Sequence, residues 1–298
     1  MELNEKLIGT GVALVTPFAP DKNVDYKALV KLVTHVTKGM VEYVVVLGTT
    51  AESVTLTKEE KQKVVATVVQ TVLGKVPVVL GMGGNNTQDI LDDLKDPYEL
   101  KYVDAILSVS PYYNKPSQRG IYEHYKAIAQ KSSKPVILYN VPARTGSNIS
   151  AETTLKLAKD FKNIIGIKEA SGNLEQCMKI IKNKPKEFMV ISGDDLLTLP
   201  MVACGAQGVI SVAANAFPKD FSTMTRMILE GNMEEAKRLH YKLTDIIEQL
   251  FADGNPAGIK AALEILGICK SGLRLPLVNV NPETQKKLEE LMKGYKIG

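Results

Sequence analysis

The sequence predicts a TIM-type (β/α)8 barrel with a helical extension at its C-terminal end. Eight short apolar runs, most of them rich in valine and isoleucine, alternate with segments of helical periodicity up to about Phe217. The runs are continuous rather than alternating, as expected for parallel strands buried on both faces. After Phe217 no clear strand remains and helical segments dominate. A doubly wound sheet is the alternative, but it rarely needs eight such even repeats. The expected division is a barrel over residues 1–226 carrying the active site, and a C-terminal helical domain over 227–298 packed on it.

The elements follow in order. Gly11 to Thr16 reads as the first strand, closed by Pro17. Asp25 to Lys38 places Leu29, Leu32, Val33 and Val36 at helical spacing, with Gly39 as a C-cap signal. Tyr43 to Leu47 is the second strand. Thr57-Lys58-Glu59-Glu60 resembles a capping box that opens the next helix. Pro77 to Leu80 is the third strand, leading into a glycine-rich loop at Gly81 to Asn86. Asp104 to Val109 and Pro135 to Tyr139 are the fourth and fifth strands, followed by helices from about Ser117 to Lys131 and Ser150 to Lys159. Ile164 to Lys168 is the sixth strand, with a helix from Asn173 to Ile181. Phe188 to Ser192, a helix near Leu196 to Cys204, and Gly208 to Val212 complete the set. The extension reads as helices at Lys219 to Leu229, Met233 to Phe251, Pro256 to Leu266 and Glu283 to Lys293.

Composition narrows the functional classes. The 298 residues are 45% hydrophobic and 23% charged, ordinary globular values. The net charge of +4 is spread among acidic residues, so no basic face for nucleic acid is expected. The three cysteines, Cys177, Cys204 and Cys269, are distant and odd in number, which suits a reduced thiol in the cytoplasm better than a disulfide framework. No apolar run approaches the ~20 residues that span a bilayer. The histidines, His35, His124 and His240, fall in helical patterns without ligand spacing, so no metal site is expected. The loop at Gly81 to Gly84 is not the dinucleotide fingerprint.

In such barrels the chemistry sits at the C-terminal ends of the strands. Those ends carry Thr49 and Thr50 after the second strand and Tyr112 and Tyr113 after the fourth. Tyr139 and Arg144 follow the fifth, Lys168 ends the sixth, and Gly193-Asp194-Asp195 follows the seventh. Each has an ordinary reading: threonines close turns, tyrosines pack, loop arginines are solvated, and aspartates cap helices. Lys168 itself could simply end a strand in water. Period two puts Ile164, Gly166 and Lys168 on one face and Ile165 and Ile167 on the other, so Gly166 is expected to clear space beside the lysine. Among apolar neighbours a lysine loses hydration and is more readily a free amine, able to attack a carbonyl and form a Schiff base. The joint occurrence carries the argument. Imine chemistry needs proton transfers that hydroxyl chains can relay, and a carboxylate substrate needs hydroxyl, N–H or guanidinium donors. The set points to a Schiff-base lyase or aldolase acting on a keto acid. A non-catalytic metabolite-binding barrel is the alternative from another class.

Five motifs then carry a resemblance: Gly48-Thr49-Thr50-Ala51-Glu52-Ser53, Pro111-Tyr112-Tyr113-Asn114, Tyr139 through Gly146, Gly166 through Asn173, and Gly208 through Val212. They are in order and on strand ends, and over nearly the whole chain the sequence resembles the dihydrodipicolinate synthase family, within the pyruvate-dependent lyases that include N-acetylneuraminate lyase. The resemblance implies that Lys168 forms an imine with pyruvate and that Tyr139 shuttles protons. It implies a hydroxyl relay completed by Thr49 and by Tyr113, the latter contributed across a subunit interface. Thr50 and the backbone of Ile210 match pyruvate-binding positions, with Gly193 lining the site, and Arg144 matches the residue that holds the carboxylate of L-aspartate 4-semialdehyde. The implied product is 4-hydroxy-tetrahydrodipicolinate, toward lysine and diaminopimelate, made without a cofactor by a homotetramer of two tight dimers. Related sugar-acid lyases, the nearer alternative, lack the Arg-Thr-Gly sequence found at Arg144. An inhibitor site for lysine would map to Ser53, Val54, Lys58, Lys61, Asn85, Asp89 and Tyr112. Lysine-sensitive members often carry histidine at the positions of Lys58 and Lys61, so weak or absent inhibition is expected. Ala51 replaces a usual glycine and would be strained if that turn needs positive φ. Asn255-Pro256-Ala257-Gly258-Ile259-Lys260 loosens a usual Asn-Pro-Ile-Pro-Val-Lys.

Overall fold

A computed structural model describes residues 2–95 and 100–295. Eight parallel strands close a barrel in sequence order: β1 (Gly9–Ala13), β2 (Tyr43–Val46), β3 (Val78–Gly81), β4 (Ala105–Val109), β5 (Val136–Asn140), β6 (Ile164–Glu169), β7 (Met189–Ser192) and β8 (Gly208–Ser211), which pairs back onto β1. Helices intervene at Tyr26–Lys38, Lys58–Val72, Thr87–Asp93, Gln118–Lys131, Ala151–Asp160, Leu174–Asn183 and Thr198–Ala203. The C-terminal part runs through Pro218–Leu229, Met233–Phe251, Ala257–Ile265 and Pro282–Leu291. The helix Thr87–Asp93 was not expected. Ile90 is its one buried residue, so it has no apolar stripe to read.

The helix starts follow from side chains that satisfy the orphan N–H groups of the first turn. Asp25 accepts from Ala28, Ser117 from Gly120, Ser150 from Thr153, Asn173 from Gln176 and Asn281 from Thr284. The capping box at Thr57 and Glu60 forms as expected. Gly39 does not work as a left-handed C-cap: its φ is −75°, and the left-handed step falls on Met40 at 62°. Gly39 is small for a packing reason, because a Cβ there would lie 2.4 Å from Cβ of Pro218.

Period-two alternation divides the strand residues into two cores. Val12, Val44, Val46, Val78, Leu80, Ile106, Leu138 and Val190 face the helices. Ala13, Tyr43, Val45, Val79, Leu107, Ile137, Tyr139, Ile191 and Ile210 fill the barrel. The barrel is therefore packed rather than hollow: a Cβ on Gly11 would lie 2.2 Å from the Tyr43 ring. Strand β6 breaks the alternation. Val136 pairs with Ile164 but Ile137 pairs with Gly166, so Ile165 is bulged out of the ladder. Ile164 and Ile167 then both face the helices, while Ile165 packs on the inner cluster.

Candidate active site

The bulge in β6 sets which way Lys168 points. Tyr139 and Lys168 pair across β5 and β6, and both lie on the inner side at the C-terminal end of the barrel. They are 7% and 6% exposed, and Lys168 Nζ sits 4.5 Å from the centroid of the Tyr139 ring. The residue that clears room for the lysine is Gly193, not Gly166. A Cβ on Gly193 would lie 2.9 Å from Lys168 Cε, whereas one on Gly166 would meet the backbone of Met189. Face assignment by alternation identified the strand of the lysine but missed this cross-strand neighbour. Gly193 N–H also donates to the Glu169 carbonyl at 2.8 Å, fixing the start of the loop after β7.

The turn after β2 is a 3-10 turn at Thr49–Ala51 followed by another at Ser53–Thr55. Between them Glu52 takes the left-handed conformation, φ 54°. Ala51 stays right-handed, so the strain expected of an alanine there does not arise. Thr49 is exposed. Thr50 is buried, and its Oγ1 accepts from Nδ2 of Asn255 at 3.0 Å. Arg144, in the short helix Pro142–Thr145, is exposed, and its guanidinium donates to the Asn255 carbonyl at 3.4 Å. Asn255 thus joins two candidate substrate positions from the far end of the chain.

Ile210 is buried in β8, and its backbone is fixed by pairing with Gly11. The two aspartates after β7 divide their work. Asp194 accepts from Leu196 and Leu197 and closes the turn toward the next helix. Asp195 instead reaches across to accept from the N–H groups of Val212 and Ala213, at 3.1 and 2.8 Å. Burial pushes its carboxyl up to about 6 against the pull of those donors.

A cavity of about 550 Å³ opens at this end of the barrel, lined by Thr49, Tyr139, Val141 and Arg144 among others. It also runs past Ser53, Val54, Lys58, Lys61 and Tyr112 of the expected inhibitor set. Asn85 and Asp89 are not in that lining: the Asn85 carbonyl accepts from Asn114 and the Asp89 carboxylate from Asn86. Tyr113 points away from the chain. It is 87% exposed at φ 73°, held by its N–H donating to the Thr145 carbonyl. Among the described residues no three His, Cys, Asp or Glu side chains are grouped to hold a metal ion.

A family model described as the dihydrodipicolinate synthetase family matches residues 6–295. The chain belongs to that family. It is 54% identical over 285 residues to a 4-hydroxy-tetrahydrodipicolinate synthase of Flavobacterium psychrophilum, covering 96% of this chain and 97% of that one. The crystal structure of dihydrodipicolinate synthase from Aquifex aeolicus superimposes with a TM-score of 0.92 at 42% identity, covering 96% and 97% of the two chains. The chloride-inhibited synthase from Acinetobacter baumannii, complexed with pyruvate, gives 0.93 at 37% identity, covering 96% and 98%.

Proposed function

We propose that Lys168 is the nucleophile of this enzyme and that Tyr139 moves protons to and from it. The chain is a lyase that condenses pyruvate with L-aspartate 4-semialdehyde to 4-hydroxy-tetrahydrodipicolinate, on the way to diaminopimelate and lysine. The amine attacks the keto carbon, and the carbinolamine loses water to give the imine. Loss of a methyl proton gives the enamine, whose carbon attacks the aldehyde. The amino group of the second substrate then displaces Lys168, so the ring closes, the lysine returns to the free amine, and one water is released overall. No cofactor is needed, because the protonated imine is itself the electron sink.

The observation that carries this reading is the adjacency of Lys168 and Tyr139, the nitrogen 4.5 Å from the ring, at the end of the barrel. Thr50 fits the pyruvate carboxylate. Its oxygen already accepts from Asn255, which leaves its own hydrogen free to donate to an anion. The backbone of Ile210 and the cleared space at Gly193 complete that pocket. Arg144 at the mouth takes the carboxylate of the aldehyde, and Thr49 with Tyr113 extends the hydroxyl relay. Because Tyr113 faces outward, it serves a partner's site, in a homotetramer of two tight dimers acting in the cytoplasm. The barrel carries the site, and the helices from Met233–Phe251 onward pack on it as a helical extension. The cavity lining carries Lys58, Lys61 and Arg144 against the carboxylate of Asp93, and that positive excess disfavours a cationic inhibitor. Steady-state rates should hold in millimolar L-lysine, and a micromolar inhibition constant would disprove that.

Borohydride trapping with pyruvate, followed by peptide mass mapping, tests the central assignment. An adduct on Lys168 is expected in the wild type and not in Lys168→Arg. An adduct elsewhere, or none on the folded protein, overturns it.

A further inference from the structure

Directly behind Tyr139 and Lys168 lies a second pair that the reaction scheme does not use. Asn140 and Glu169 follow them in the same two strands and are partnered in the same register. They are 0% and 1% exposed. Asn140 Nδ2 donates to both carboxylate oxygens of Glu169, at 3.0 and 3.1 Å. Gln176 Nε2 donates to the same carboxylate at 2.8 Å, and the Ser171 N–H at 2.9 Å. All these donors are neutral, and among the described residues no salt bridge to Glu169 forms. A buried carboxylate held without a cation is costly, so its geometry is dictated by its hydrogen bonds.

We propose that Asn140 and Glu169 are positioning residues that lock β5 to β6 at the one register step that sets Lys168 beside Tyr139. The inference rests on the reading of those two residues given above. Strand β6 has a particular need for such a lock, because its ladder to β5 has already slipped by one residue at Ile165. A bulged strand has lost part of the regular pairing that would otherwise fix its end. The Asn140–Glu169 bonds restore a fixed point four residues later, and the backbone continues it: Ala170 N–H donates to the Asn140 carbonyl, and Gly193 N–H to the Glu169 carbonyl. A shift of about 1 Å in such a pair can cost about a hundredfold in rate.

The test uses Glu169→Gln, which keeps the shape but faces an amide against the amide of Asn140. kcat and the rate of borohydride-trapped imine formation are expected to fall by about 10–100-fold, with a smaller change in KM for pyruvate. An E169Q enzyme that folds and turns over at the wild-type kcat overturns the proposal. So does a loss that falls on KM for pyruvate while kcat holds, because the network is then core packing only. If E169Q does not fold, Glu169→Asp serves the same purpose. It keeps the bond to the Ser171 N–H but withdraws from Asn140, and full kcat there is equally fatal. Failure of the reading beneath is seen separately, as absence of the Lys168 adduct in the wild type.

Discussion

At the scale of single residues, Tyr139 is the sharpest case. Its ring packs in the barrel whether or not it carries a hydroxyl, so Tyr139→Phe should fold normally. If the phenol relays protons, kcat should fall by about 10²–10⁴ while trapping on Lys168 persists under long incubation. Unchanged turnover would remove Tyr139 from the relay. Asp195 makes a prediction of a different kind. Its folded pKa, about 6, lies above the ordinary 3.8, because burial disfavours the charged form. The folded chain therefore holds that proton more tightly than the unfolded chain. Stability from this group is complete below about pH 3.8 and is lost as pH rises through about 6, a change of about 3 kcal/mol. Asp195→Asn keeps an acceptor for Val212 and Ala213 and abolishes the titration. The Tm of the variant should gain on the wild type between about pH 4 and pH 7, and a pH-independent difference would refute this origin. Lys168, Thr49, Thr50 and Arg144 could be nominated from the sequence because strand ends converge in a barrel. Asp195 was hidden behind an ordinary capping role, and the work of Gly193 depends on a neighbour in another strand that spacing cannot reveal.

At the scale of elements, the turn after β2 is held from a distance. Glu52, left-handed and fully buried, pairs with Lys260 of the helix Ala257–Ile265, and both side chains are 0% exposed. Lys260 also donates to the Gly272 carbonyl at 2.9 Å and lies 4.1 Å from the centroid of Phe18. Burial lowers the pKa of Lys260, and Glu52 opposes that shift. Lys260→Met leaves a carboxylate buried without its cation and should cost about 3–5 kcal/mol in denaturant unfolding. The double variant E52Q/K260M removes both charges and should recover most of that loss. Equal destabilisation by both variants would mean that the pair matters only as volume. Helices with strong caps, such as those opened by Ser117, Ser150 and Asn173, were readable almost to their ends, because side-chain oxygens there meet bare N–H groups, whereas Thr87–Asp93 was missed and the first strand lies at Gly9–Ala13 rather than Gly11 to Thr16. The bulge at Ile165 was not readable either, since an apolar run looks the same with or without an extra residue.

At the scale of the molecule, the C-terminal part closes over the turn that carries Thr49 and Thr50. Asn255 reaches Thr50, Lys260 reaches Glu52, and Arg274 pairs with Glu60 while its N–H donates to Glu52. A division after residue 226 falls within the helix Pro218–Leu229, so the two parts share an element as well as these contacts. One candidate residue stays outside this enclosure. Tyr113 is presented at positive φ on the surface, a conformation that costs energy in a non-glycine residue unless the surroundings fix it. If it completes the site of a neighbour, complementation must follow. Lys168→Arg chains lack the nucleophile but keep Tyr113, and Tyr113→Phe chains keep the nucleophile. In a two-fold dimer of one of each, the Tyr113→Phe chain owns a site with its own Lys168 and the partner's intact tyrosine. Co-expressed chains should therefore regain about a quarter of wild-type activity, since about half the dimers are mixed and each holds one whole site. If Tyr113 works within its own chain, every site lacks either the lysine or the hydroxyl, and the mixture shows no more than the sum of the two mutants.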